Sequence, residues 1–142
     1  MNNLEKFPSR VRLLAAAMLL GGLSVGAVMA ADIKVTLSGA NEVPPVTTSA
    51  AGSGTIMVAD DGSVSGSVSS TGVAGTAAHI HEAAADKNGP VIVPLTKEGD
   101  TYKVPAGAKL TPAQMASLKS GNLYVNVHSA ANPNGEIRGQ LK

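Results

Sequence analysis

Ile56-Met57-Val58-Ala59-Asp60-Asp61-Gly62-Ser63-Val64-Ser65-Gly66-Ser67-Val68-Ser69 decides the fold class. Ile56 and Val58 run into Asp60-Asp61-Gly62, and Val64, Gly66 and Val68 then alternate with serines. Alternation at period two sends successive side chains to opposite faces of a strand, and a turn ending in Gly tolerates the left-handed backbone that a hairpin requires. The pattern recurs on both sides. Upstream, Ile33, Val35 and Leu37 alternate with Lys34, Thr36 and Ser38 until Pro44-Pro45, which cannot donate to a ladder, ends the strand. Downstream, Ala78-His79-Ile80-His81 and residues 91–95, 101–104, 123–128 and 136–141 read as further strands. The Ser/Gly/Ala run 47–54 reads as a loop. One helix interrupts the series: Thr111 caps it, Pro112 suits its first position, Gln114 completes a capping box and Gly121 stops it. Leu110 and Met115 have the spacing of a hydrophobic staple at its start. About eight short strands predict an all-β fold, an antiparallel Greek-key β-sandwich with one short helix.

The first thirty residues follow a different rule. Lys6, Arg10 and Arg12 precede an apolar run over 13–20, and Val28-Met29-Ala30 supplies small residues where a signal peptidase reads. This pattern predicts a signal peptide over 1–30 and a mature domain over 31–142, periplasmic or secreted, with no membrane span left after cleavage. Removal of 1–30 changes the net charge from +1 to −1. A balance so near neutral argues against a nucleic-acid partner, which normally meets a basic excess. With no Cys, the chain has no disulfide, thiol nucleophile or cysteine-based metal cluster. Stability in an oxidising compartment must come from packing or from a metal.

Histidine is the one pointed chemical feature. His79 and His81 are two apart, so on a strand they share a face while Ile80 takes the other. In the strand 123–128, Leu123, Val125 and Val127 share the core face, which sends Asn126 and His128 outward by the same parity. Adjacent strands would bring three imidazoles together on the outside of the sandwich. Imidazole suits copper and zinc, so His79, His81 and His128 form the candidate metal set. Glu82 and Asp86 lie just beyond His81, and Glu82 is the candidate accessory oxygen ligand. Other chemistry lacks its signature: there is no G-x-S-x-G elbow and no phosphate-binding glycine loop. Glu42 and Glu136 read as surface charge. Arg138 reads as a polar-face partner for Glu136 or Gln140, and Tyr102 and Tyr124 as the rings of the core.

Several of these segments together resemble one family. Leu37-Ser38-Gly39-Ala40-Asn41-Glu42-Val43-Pro44-Pro45-Val46, Ala77-Ala78-His79-Ile80-His81, Asn88-Gly89-Pro90-Val91-Ile92-Val93, Asn126-Val127-His128 and Gly135-Glu136-Ile137-Arg138-Gly139-Gln140-Leu141 resemble the chordin-type (CHRD) domain across about residues 33–141. The resemblance implies a β-sandwich with an extracytoplasmic role, since bacterial members are typically secreted, and it implies no established activity. Where many members carry small glycines after the H-I-H pair, this chain has Glu82 and Ala83. The H-x-H strand also looks like that of Cu/Zn superoxide dismutase, a likeness of architecture alone. Three histidines cannot supply that enzyme's copper and zinc sites. The leading expectation is therefore a non-enzymatic protein that binds copper or zinc. An extracellular protein-interaction module with incidental histidines comes second, and a dismutase-like redox enzyme third.

Overall fold

Nine strands, one α-helix and a single 3-10 turn at Gly39–Asn41 account for the regular structure of residues 30–142, the part of the chain that the computed structural model describes. Residues 1–29, within the segment read as a signal peptide, lie outside the described residues. The strands are β1 (Ala30–Ser38), β2 (Ala51–Ala59), β3 (Val64–Thr71), β4 (Gly75–Glu82), β5 (Val91–Pro94), β6 (Thr96–Glu98), β7 (Thr101–Lys103), β8 (Leu123–Ser129) and β9 (Ile137–Leu141), with α1 at Pro112–Lys119. No helix among the described residues is long and apolar enough to cross a membrane.

The hairpin of the opening stretch forms as its sequence dictates. Ile56 pairs with Gly66 and Val58 with Val64, so the apolar positions of β2 and β3 share the core face. Ala59 and Ser63 close a three-residue loop in which Gly62 takes a φ of 87°, the left-handed position of a type I turn followed by a bulge. β2 begins at Ala51, inside the run expected to be loop. Its strand is disguised by small residues that its neighbours demand: a Cβ on Gly54 would run into the Ser67 carbonyl of β3.

All strand pairs are antiparallel, in the order β5-β4-β8-β9-β1-β2-β3-β7-β6. The all-β, sandwich-like reading holds: β5-β4-β8-β9 and β1-β2-β3-β7-β6 enclose the core, joined into one nearly closed, rolled sheet through the single pair Ser38–Arg138. The ends of the roll nearly meet, because β5 and β6 are consecutive in the chain yet lie at opposite ends of the order. Leu95, between them, donates its N–H to the Ala78 carbonyl of β4 at 3.0 Å. β6 escaped the sequence pattern because Thr96-Lys97-Glu98 has no apolar residue and is fully exposed.

Val35, Leu37, Ile56, Val68, Ile80, Val125, Val127, Ile137 and Tyr102 fill the inside of the roll. Tyr124 is equally buried but belongs to the opposite face, with the histidines. α1 carries the capping box read from sequence: Thr111 Oγ1 accepts the Gln114 N–H at 3.2 Å, and Gln114 Oε1 accepts the Thr111 N–H at 2.9 Å. None of its residues is fully buried, and Met115 and Leu118 are its partly buried contacts with the core. Thr111→Ala is expected to cost about 1 kcal/mol, read as a lowered midpoint in urea unfolding with an unchanged slope.

Candidate metal centre

Strand parity and neighbourhood build the site. β4 and β8 are adjacent, with His79 opposite Asn126 and His81 opposite Tyr124, while Ala77 faces His128. Ile80, Val125 and Val127 point into the core, so His79, His81 and His128 share the outer face as expected. One nitrogen of each ring lies within 4.8 Å of the others, and this group contains all three predicted ligands.

That outer face is not open to solvent. The segment 42–46, the loop 83–90 and the loop 130–135 fold over it. His81 is only 7% exposed, while His79 and His128 are half-buried. Two glycines permit the roof to sit this low. A Cβ on Gly89 would strike the Glu82 carbonyl, and one on Gly135 would lie 2.5 Å from Glu42 Oε1 and 2.6 Å from Asn126 Nδ2.

The roof also sets the protonation of the rings. His81 Nδ1 lies 2.9 Å from the Gly89 carbonyl, and His128 Nδ1 lies 2.9 Å from the Pro133 carbonyl. A carbonyl only accepts, so each Nδ1 carries the hydrogen and each Nε2 is left as an acceptor. His128 Nε2 accepts the His79 Nδ1–H at 3.0 Å, while the buried His81 Nε2 has no hydrogen-bond partner among the described residues. Burial, the largest cause, holds His79 below the usual imidazole value of 6.5, and its neighbours His128 and His81 add to the effect. Burial lowers His81 as well, against the opposing pull of the Gly89 carbonyl. Both rings are therefore neutral, the ligating form, at neutral pH.

These donors fit a transition-metal ion. Bonds of about 2.0–2.1 Å in a tetrahedral arrangement place two ligating nitrogens roughly 3.3 Å apart, so the widest pair would close by about 1.5 Å. A backbone carbonyl behind the ligand is the usual device for fixing a metal-binding imidazole. Glu82 is not brought into the group. Strand alternation turns it to the face opposite the histidines, and its carboxylate accepts the Ser117 hydroxyl of α1 at 2.6 Å. Asp86 is exposed in the covering loop.

Three residues read as surface charge are buried instead. Glu136 is 8% exposed and accepts from Thr48 Oγ1 at 2.7 Å and from the Ser129 hydroxyl; these bonds, Ser129 first, lower its carboxyl below the usual range. Glu42 is 4% exposed beside Asn126, and burial raises its carboxyl to about 7 despite the opposing Arg138 charge. Arg138 is 1% exposed; it meets the expected Gln140 at 3.3 Å but not Glu136. Spacing along one strand could not reveal this burial, because the covering loops come from 42–46, 83–90 and 130–135. Tyr124 was within reach: the parity that turns His128 outward turns Tyr124 outward too.

The family model for the CHRD domain matches residues 33–141, which takes in every strand from the middle of β1 to the end of β9. The chain belongs to the CHRD domain family. Comparisons with curated proteins and with solved structures found no match. The matched span carries the whole histidine group and its roof, so the candidate metal centre lies inside the CHRD domain rather than on an appendage.

Proposed function

We propose that this CHRD-domain chain is a non-enzymatic, exported protein that holds a copper or zinc ion through His79, His81 and His128. One observation carries the reading: His81 and His128 each have Nδ1 engaged by a backbone carbonyl, which turns both Nε2 atoms toward the same space as His79 Nδ1, where an ion would replace the hydrogen shared by His79 and His128. An ordinary surface histidine has no need of a buried, preset lone pair such as that of His81 Nε2. The basic and apolar pattern of residues 6–30 supports export, and three nitrogen ligands leave room for delivery of the ion to another carrier.

Calorimetric titration of metal-free protein with Cu(II) and with Zn(II) tests the reading. One ion per chain is expected at pH 7.5, with uptake lost in the double variant His79→Ala/His128→Ala. Because His79 and His81 sit below 6.5, proton competition should become steep only below about pH 6.5. Absence of heat with both ions in the parent chain would abandon the metal and leave the interaction module as the better account.

A further inference from the structure

Arg138 and Tyr124 converge on one ligand. The His81 and Tyr124 rings stack with centroids 4.8 Å apart and planes within 3° of parallel. β4 and β9 flank β8 on its two sides, and from the β9 side the Arg138 guanidinium carbon lies 3.4 Å from the Tyr124 ring centroid. Gly89 joins the same assembly. Its N–H donates to the Tyr124 hydroxyl at 3.2 Å, and its carbonyl accepts the His81 Nδ1–H at 2.9 Å. Arg138 in turn donates to the Lys87 and Ala84 carbonyls, both at 2.9 Å, and so fixes the loop that presents Gly89.

Arg138 makes no ion pair within 4.0 Å among the described residues, though it is almost completely buried. A cation withdrawn from water is costly unless its surroundings use it. Here two backbone carbonyls, the side-chain oxygens of Asn88 and Gln140 and an aromatic face satisfy it, an arrangement that the planar fork of arginine permits and the point charge of lysine does not. Two of the groups it holds bear directly on His81: the Tyr124 ring stacks on it, and the loop of Gly89 accepts its Nδ1–H.

We propose that Tyr124 and Arg138 are positioning residues of the metal centre, acting through Gly89 to hold His81 as its Nδ1–H tautomer with Nε2 presented to His79 and His128. The proposal rests on the metal reading above, but half of its test needs no metal. Long-range proton–nitrogen NMR of the metal-free chain at pH 7.5 reports which His81 nitrogen is protonated. The parent chain gives the Nδ1–H pattern. Tyr124→Phe, which keeps the ring and removes one hydroxyl, shifts His81 toward a mixture of tautomers, and Arg138→Lys shifts it further. Competition titration with Zn(II) and Cu(II) then reads affinity. Partners behind a metal ligand are worth roughly 10–100-fold, so Tyr124→Phe is expected near the lower figure and Arg138→Lys near the upper.

An Arg138→Lys chain that fails to fold leaves Tyr124→Phe to decide the matter alone. A His81 tautomer and a metal affinity both unchanged in folded Tyr124→Phe overturn the proposal. Failure of the parent chain to take up metal overturns the functional reading instead, and the tautomer measurement still decides whether these residues position His81.

Discussion

His81→Ala removes nearly all of the rise in melting temperature that metal confers on the parent chain. His81 is the most buried of the three proposed ligands, and its Nε2 has no hydrogen-bond partner among the described residues, so its loss would leave only two half-buried rings to hold an ion. An ion present at a hundred times its dissociation constant stabilises the native state by about 2.7 kcal/mol. For a domain of this size that corresponds to roughly 10 °C. The metal-free variant melts lower in its own right, because the stack on Tyr124 and the bond to Gly89 are lost. The decisive quantity is therefore the difference between loaded and unloaded samples of each chain. Differential scanning fluorimetry with and without Zn(II) supplies it. An equal shift in parent and variant would place the ion elsewhere.

Glu42→Gln is expected to reverse a pH-dependent weakness. The folded chain keeps the Glu42 proton up to about pH 7, whereas the unfolded carboxyl releases it near 4.5. A folded-state value above the unfolded one favours the native state below pH 4.5, and that contribution is lost as pH rises through 4.5 to 7. At about 1.36 kcal/mol per pH unit, the ceiling on the loss is roughly 3 kcal/mol. Glutamine carries no such proton. The variant should gain on the parent steadily between pH 4.5 and 7 and hold a constant lead above that range. Protonation of His79 and His81 below 6.5 weakens both chains alike and cancels in the difference. Urea unfolding at several pH values measures it, and parallel pH curves for the two chains would show that Glu42 ionises normally in the fold.

The parts of this molecule legible in its sequence are those governed by local periodicity. Ile56 to Val68 gives a hairpin because both strands and their turn lie within a few residues, and His79-Ile80-His81 gives a shared face because alternation is a property of one strand. Neither pattern contains the register between β4 and β8 that brings His128 to His79, nor the closure of the sheet through Leu95. The roof was harder still. Glu42 meets Asn126 from the segment that follows β1, more than eighty residues away, and Arg138 finds its carbonyls at Ala84 and Lys87, about fifty residues away. Charged residues are exposed unless distant chain covers them, and that covering depends on tertiary contacts that no spacing rule encodes.

The near-closure of the sheet bears on how this chain behaves at high concentration outside a cell's chaperones. An open strand edge is a template on which another copy can add, and repeated addition leads to fibrils. Two strands end the order, β5 and β6. β5 has four residues with Pro90 just before it and Pro94 at its end, and β6 has three, two of them charged. Proline withholds a donor from any incoming strand, and charge makes the docking of a like copy unfavourable. The long strand β2 and the serine-rich β3, which alone would pair readily with their own kind, are paired on both sides within the order. A chain without a single disulfide thus gains resistance to self-templating from topology, and it keeps that resistance in reducing and oxidising surroundings alike.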